Sequence, residues 1–418
     1  MRDHLGRPVV VVTGMGAVTS LGSGVDENWT RMLAGESGIR RISRFPTTGL
    51  STTIAGTVDH VDADHASDRS FVLGETAARE ACAQAGIAGD VPGPLLLATP
   101  PVEMEWGERF ALHAAGDPAL AGYARLLDGA RRTPDERAFD RLQFAHVADR
   151  LHDALGTRGM PISLSTACAS GATAIQLGAE AIRRGDTDLA LCVGTDGSVH
   201  IESLVRFALL SALSTDDEVP EEASKPFSKD RDGFVMAEGA GAVVLESYEG
   251  ARARGAKVLA VLRGCGERAD HFHRTRSSPD GSPAIATIAH ALGDADLAPD
   301  AIDTVNAHGT ATPENDRIES IALHAVFGER ARSLPLPSSK SMIGHTLTAA
   351  GAVEAVVSCM TLIEGRVPPT INHDHPDPDI RLDVVTEARD VDAGTVLSNS
   401  FGFGGQNACL VFATEPAA

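Results

Sequence analysis

Residues 161–172 read Pro161-Ile162-Ser163-Leu164-Ser165-Thr166-Ala167-Cys168-Ala169-Ser170-Gly171-Ala172. Pro161–Ser165 has strand character, and the Ala-rich stretch Ala169–Arg184 has helical spacing up to Gly185, where a C-cap glycine belongs. A buried strand passing directly into a helix is the unit of an α/β protein, and Cys168 sits at the crossing. That position aims the sulfur out of the sheet, and the helix N-terminus favours a thiolate through its free N–H groups and dipole. Small neighbours leave room for a substrate, and the Cys168 N–H is placed to stabilise an oxyanion. A lone cysteine among small residues is more often plain core; the strand–Cys–helix setting gives weight to the chemical reading.

The same pattern extends both ways. Val9–Thr13, Leu189–Val193 and Gly241–Glu246 read as further strands, before the polar, Arg-rich Glu249–Gly255. Beyond it come a strand at Lys257–Arg263, a helix at Ala284–Leu292, a strand at Ile302–Ala307 and a long helix at Thr348–Glu364. Thr395–Ser398 and Ala408–Phe412 flank a glycine-rich turn. Two βα-rich halves are expected, 1–250 and 251–418, with a charged insertion at about 100–160 acting as a cap or dimerisation region. Gly14-Met15-Gly16 is read as a tight strand–helix turn. A dinucleotide site is rejected, because Thr19 holds the third glycine position and no acid-ended strand follows.

Composition narrows the classes. The 418 residues are 43% hydrophobic, ample for a large core, and the net charge of −21 excludes broad binding to nucleic-acid phosphates. The longest apolar run, around Val353–Ile363, is broken by Glu354 and Ser358, so no membrane span is expected. No signal-peptide core follows Met1, and six cysteines stand without a Cys-x-x-Cys pair. A cytoplasmic protein with reduced thiols is expected.

Two histidines stand beside glycines at element ends, where active-site residues of α/β folds collect. His308 follows its strand in Asn306-Ala307-His308-Gly309-Thr310, and His345 closes Lys340-Ser341-Met342-Ile343-Gly344-His345 before the long helix. Lys340 is one of four lysines, with Asp316, Glu319 and Glu354 as carboxylates to pair with it. His271/His273 and His373/His375 lack a third ligand at recognisable spacing, so no metal is expected. Ser398–Asn407 is glycine-rich without a phosphate-cradle ending; its aromatics suggest a moving gate or a plain turn.

Together these motifs resemble the elongating β-ketoacyl-[acyl-carrier-protein] synthases of the thiolase superfamily. The resemblance runs from Val9–Gly16 to Gly402-Phe403-Gly404-Gly405, through Thr166–Ala169, Lys225-Pro226-Phe227, Asp230–Phe234, Asn306–Thr310 and Lys340–His345. It implies two similar βαβαβ halves in a five-layer αβαβα sandwich, a dimer, and no cofactor beyond the phosphopantetheine of an acyl carrier protein. Cys168, His308 and His345 would be the catalytic set, with Cys168 taking the acyl group. Lys340 would organise the site with Glu319, supported by Asp316 and Glu354. The N–H groups of Cys168 and Phe403 would form the oxyanion hole. Thr310 and Thr312 match pantetheine contacts, Phe403 the gate, and Phe207, Phe401 and Trp106 further substrate contacts.

The chain also departs from the pattern. Gln406 stands where Thr or His is usual, Ser211 where fatty-acid enzymes have Arg, and Pro100–Trp106 is unlike the usual pocket lining. These point to a specialised polyketide- or polyene-type synthase, with housekeeping fatty-acid elongation as the alternative. A non-catalytic chain-length-factor subunit is the rival from another class, opposed by the intact Cys and both His. Trp106 is expected at the acyl-pocket floor near the dimer interface, shortening it, with Glu103 and Glu105 facing a partner. Carrier docking on an acidic synthase needs a local basic patch; Arg131 and Arg132 come first, then Arg69, Arg274 and Arg276. The partner subunit is either a second copy or a chain-length-factor-like protein.

Overall fold

The computed structural model describes residues 1–414. Nine principal strands form one mixed sheet: Val10–Thr19 (β1), Leu95–Ala98 (β2), Ile162–Leu164 (β3), Leu189–Asp196 (β4), Gly239–Ser247 (β5), Ala260–Ala269 (β6), Thr304–Asn306 (β7), Thr395–Phe401 (β8) and Gln406–Ala413 (β9). Their order is β7-β8-β9-β6-β1-β5-β4-β2-β3. This order is a repeat. The first five strands lie as third, second, fourth, fifth, first; the last four lie as second, fourth, fifth, first. Pro335–Leu336 stands beside β7 in the missing third place, where Thr304 Oγ1 donates to the Pro335 carbonyl at 2.8 Å. Strand directions repeat as well: β2–β4 and β7–β8 are parallel, while β4–β5–β1 and β8–β9–β6 are antiparallel. The halves join where Val10–Val12 pairs with Ala260–Leu262.

Ten helices matter here: Ala66–Gln84 (α1), Trp106–Ala115 (α2), Gly122–Arg132 (α3), Glu136–Arg141 (α4), His146–Leu155 (α5), Ser170–Arg184 (α6), Ile201–Leu209 (α7), Ser282–Ala295 (α8), Pro313–Phe327 (α9) and Ala350–Glu364 (α10). Six of them (α1, α5, α6, α8, α9 and α10) form three layers, each with its own apolar cluster. Leu73, Ala77 and Ala81 of α1 pack on Leu95, Val193 and Val244. Ile175 and Ile182 of α6, with Val353 and Val356 of α10, fill the middle between Val12 and Leu410. Ile288 of α8 and Ile318 of α9 cover Val305 and Val411. Three helix layers around two half-sheets make the five-layer thiolase-like sandwich.

Gly14-Met15-Gly16 does not turn. Strand β1 runs through it, with a bulge between Val12 and Gly14. A Cβ on Gly14 would lie 2.0 Å from the Ala81 carbonyl oxygen of α1, and one on Gly16 1.9 Å from that of Ala77. Strand β6 repeats the device against α8: a Cβ on Gly264 would lie 2.3 Å from the Ala291 carbonyl oxygen, and one on Gly266 2.3 Å from that of Thr287. Close helix–strand approach demands glycine as strongly as a turn does, which is why the turn reading fails.

The central helices touch backbone to backbone. A Cβ on Gly171 would lie 2.4 Å from Ala352 N, and one on Gly351 2.5 Å from Ala172 N, so the contact is reciprocal. A 3₁₀ turn, Leu347–Ala349, precedes α10. With it, Leu347–Glu364 reaches 18 residues and is apolar enough to cross a membrane, longer than the sequence reading allowed, but 89% of it is buried in the middle layer.

Candidate active site

Ala167 makes the bend between β3 and α6. Its φ of 50° is unusual for alanine. Ser170 clamps it, donating through Oγ to the Ala167 carbonyl at 2.5 Å and accepting the Thr166 N–H at 2.8 Å. Across from this bend, His308 leaves β7 and His345 precedes α10, so the two halves supply the two sides of one site. The Cys168 sulfur and one ring nitrogen from each histidine lie within 4.8 Å of one another.

The tautomers follow from the neighbours. Leu347 N–H donates to His345 Nδ1 at 3.3 Å, so the neutral ring carries its proton on Nε2, which is buried and without a partner. Lys340 Nζ stands 3.4 Å from His308 Nδ1, and an ammonium can only donate. His308 therefore also carries its proton on Nε2. Burial first, then the Lys340 charge, holds both imidazoles well below their usual range, so both are neutral at pH 7. A Cys-His-His set resembles a zinc donor set. Here both Nδ1 lone pairs are already engaged and Nε2 is protonated in each ring, so the donors do not fit a metal.

The expected Cys168 thiolate is not what the site holds. Burial pushes the thiol up to about 11, outweighing a hydrogen bond from the Phe403 backbone. The helix end does not compensate for the water that this largely buried sulfur has lost. The Phe403 N–H aimed at the sulfur is the second of the two donors expected to form an oxyanion hole.

Beneath the histidines lies a layer of buried acids. Glu319 accepts the His308 and Gly309 N–H groups, each at 2.8 Å, and Asn399 Nδ2 at 3.1 Å. Asp316 accepts Phe227 N–H at 2.8 Å and Thr310 N–H at 3.1 Å. These carboxyls fix the backbone of residues 308–310. Lys340 pairs with Glu354, not with Glu319 as expected, and donates to the His308 carbonyl at 2.7 Å. Burial raises the Glu354 carboxyl to about 7 against that pairing. Glu319 is already spent on backbone donors.

Two cavities meet at Cys168, with Phe207 and Phe403 in the wall of both. The first, of about 320 Å³, also touches His308 and His345 and opens past Thr310, Thr312 and Arg276. Thr310 and Thr312 share a hydroxyl–hydroxyl hydrogen bond of 2.9 Å there. The second, of about 240 Å³, runs between Pro100–Glu103 and α7. Aromatic contacts link the two sides: Phe207 to Phe234, Phe234 to His345, His345 to His308 and His308 to Phe401, with centroids 5.3–5.9 Å apart.

Other expected residues fall elsewhere. Trp106 stacks on Phe110 and lines neither cavity. Glu103 pairs with Arg206, and Glu105 accepts Ala66 N–H at 2.8 Å, so both acids are used within the chain. Arg69 is 6% exposed, donating to the Val61 carbonyl at 2.9 Å and lying 3.4 Å from Glu238, so it is unavailable for docking. Arg131 and Arg132 are exposed at the end of α3 and line neither cavity. Arg276 lines the open mouth, and the Arg274 carbonyl accepts Gly404 N–H at 2.8 Å. The sequence reading missed Asp196. It ends a wholly buried strand beside Cys168, where it accepts the Thr348 hydroxyl at 2.7 Å and the Ser198 N–H at 3.0 Å. A carboxylate closing an apolar strand was the available signal.

Residues 7–94 and 103–251 match the β-ketoacyl synthase N-terminal domain, and 259–374 the C-terminal domain. The chain is 35% identical to 3-oxoacyl-[acyl-carrier-protein] synthase 2 of Staphylococcus aureus (strain COL), covering 96% of this chain and 97% of that one. It is 36% identical to the protein of the same name from Vibrio cholerae, covering 96% and 98%. Among solved structures, a type II PKS ketosynthase bound to its acyl-carrier protein and a hexaketide superposes with a TM-score of 0.88 at 32% identity, covering 98% and 100%. The ishigamide ketosynthase/chain length factor gives 0.85 at 33% identity with the same coverage. With the Cys-His-His cluster in the fold just described, these matches make the chain a member of the β-ketoacyl synthase family.

Proposed function

We propose that this chain condenses an acyl group with malonyl-carrier protein, releasing CO2, in a decarboxylative Claisen reaction. The convergence of a buried thiol and two neutral histidines where two cavities meet carries this reading. Cys168 Sγ forms a thioester with the incoming acyl group; its proton leaves with the phosphopantetheine thiol. Malonyl thioester then enters the channel past Thr310 and Thr312. His308 and His345 donate from Nε2 to its carbonyl oxygen while the C–C bond to the carboxylate breaks and CO2 departs. The enolate carbon attacks the acyl-Cys168 carbonyl, whose oxygen accepts from the Cys168 and Phe403 N–H groups. Collapse frees the Cys168 sulfur, which regains a proton. Lys340 and Glu354 act as positioning residues.

The partner is an acyl carrier protein in the cytoplasm, docking near Arg274 and Arg276 or through Arg131 and Arg132, and the chemistry uses no metal or dissociable cofactor. The unusual Pro100–Glu103 wall, Ser211 and Gln406 favour specialised polyketide or polyene synthesis. The second subunit is another copy or a chain-length-factor-like chain. The test is direct: incubate the chain with acyl- and malonyl-carrier protein and weigh the products. A β-ketoacyl product two carbons longer, with acyl-Cys168 as intermediate, is expected. CO2 release or acyl transfer without a new C–C bond, under conditions where a known synthase turns over, overturns the reading.

A further inference from the structure

The second cavity carries a charge pair in its wall. Arg206, on α7 one residue before Phe207, and Glu103, on the chain leaving β2, both line the second cavity and form an ion pair with each other. Their side chains are 46% and 27% exposed, so the pair is reached by solvent on one side and by the cavity on the other. Among the described residues, neither side chain makes another hydrogen bond or ion pair. The other ionisable groups of this cavity are engaged. Asp196 is held by Thr348 and Ser198. His200 is held by Glu202 at 2.9 Å and Ser203 at 3.1 Å. The remaining wall is largely apolar, including Pro100, Pro101, Val102, Val147 and Leu347.

We propose that the Glu103–Arg206 pair is the end wall of the acyl cavity and selects acyl chains by the group at their far end. The proposal rests on the ketosynthase reading. A methyl-ended chain that reaches the wall removes water from two charges and gives nothing in return. A chain ending in a carboxylate, or in a hydroxyl or ketone oxygen, supplies Arg206 with an acceptor. An exposed ion pair is weakly held, so such an end group can compete with Glu103. Acyl chains long enough to touch the pair and carrying an oxygen acceptor there are thus the favoured substrate class, and plain alkyl chains of that length are disfavoured.

The test uses the full chain and two matched ladders of acyl-carrier thioesters, methyl-ended and ω-carboxyl-ended. Acyl-Cys168 formation and condensation are both recorded. Glu103→Gln frees Arg206 and should raise the preference for carboxyl-ended chains. Arg206→Met keeps the length but removes the charge, and should move the preference to methyl-ended chains. Each shift should be roughly three- to fivefold in the kcat/KM ratio, the scale of a partly exposed ion pair. Both positions are accessible, and circular dichroism checks folding. Trp106→Ala, outside the cavity, should leave the ratio unchanged. Opposite shifts in the two variants support the end wall. Parallel shifts, or none, with condensation intact, overturn it and leave the ketosynthase reading standing. Failure of the unaltered chain to acylate Cys168 with either ladder overturns both.

Discussion

Lys340 donates to the backbone carbonyl of His308 at 2.7 Å while its ammonium stands 3.4 Å from the same residue's Nδ1. One charge thus fixes the ring's tautomer and opposes its protonation. Replacing both members of the buried pair, as Lys340→Met/Glu354→Gln, removes the charge without stranding a carboxylate. Burial still lowers both histidines, so their values should rise toward, but not past, the ordinary 6.5. Malonyl decarboxylation in the unaltered protein should be flat from pH 8 down past 6.5. The double variant should show its acid limb displaced upward. Rate profiles of 14C-malonyl decarboxylation measure this, and identical acid limbs would refute the role given to Lys340.

Removing either His308 or His345 as Ala should slow decarboxylation about a hundred- to thousandfold, the cost of losing one oxyanion donor. EDTA should leave the unaltered rate where it was, since both Nδ1 atoms are already engaged. Zinc-dependent recovery after chelation would contradict that assignment.

Acyl thioesters and epoxide-type inhibitors should add mass at Cys168 alone. Cys82, Cys192, Cys359 and Cys409 are buried and their thiols raised, and Cys265 is pushed to about 12. Without substrate, alkylation of Cys168 should keep rising with pH toward about 11, not level off near 9. Cys168→Gln should abolish condensation yet retain decarboxylation. Tryptic mapping gives the site and stopped-flow alkylation the pH curve; a plateau below pH 9 would restore the thiolate.

Charge reversal at Arg274 and Arg276 should raise KM for the carrier substrate and flatten its dependence on salt. The same change at Arg131 and Arg132 tests the α3 surface, which lies on neither cavity. The pair whose reversal moves KM at low salt is the docking site, and an unmoved KM excludes it.

Gly16→Ala and Gly266→Ala should each destabilise the fold by about 1–3 kcal/mol or more, because the new Cβ meets a helix carbonyl. Denaturant midpoints measure this, and Gly107→Ala, with open space around it, is the control.

What the sequence made legible was the chemistry at element boundaries. Cys168 at a strand–helix crossing and two His–Gly junctions are local signals, and the structure gathers those three side chains into one cluster. What it hid depended on distance in the chain. Gly14 and Gly16 answer to α1, some sixty residues on, so a local reading could find only a turn. Three acids were available to Lys340, and only the fold shows that backbone N–H groups occupy two of them. Arg69 reads as a surface residue until Glu238, far along the chain, is seen beneath it. The thiolate expectation weighed the helix dipole and left out burial, which no motif reports.

The reciprocal contact of Gly171 with Ala352 and of Gly351 with Ala172 has a further meaning. Three residues before Gly171 stands Cys168; three residues before Gly351 stands Thr348. The duplicated plan thus offers two matching posts, one in each copy. The first holds the thiol between the two cavities; the second holds a hydroxyl turned to Asp196. At these two posts one copy supplies the nucleophile and its twin a brace, so the asymmetry of the reaction is written on a scaffold that remains symmetric around it.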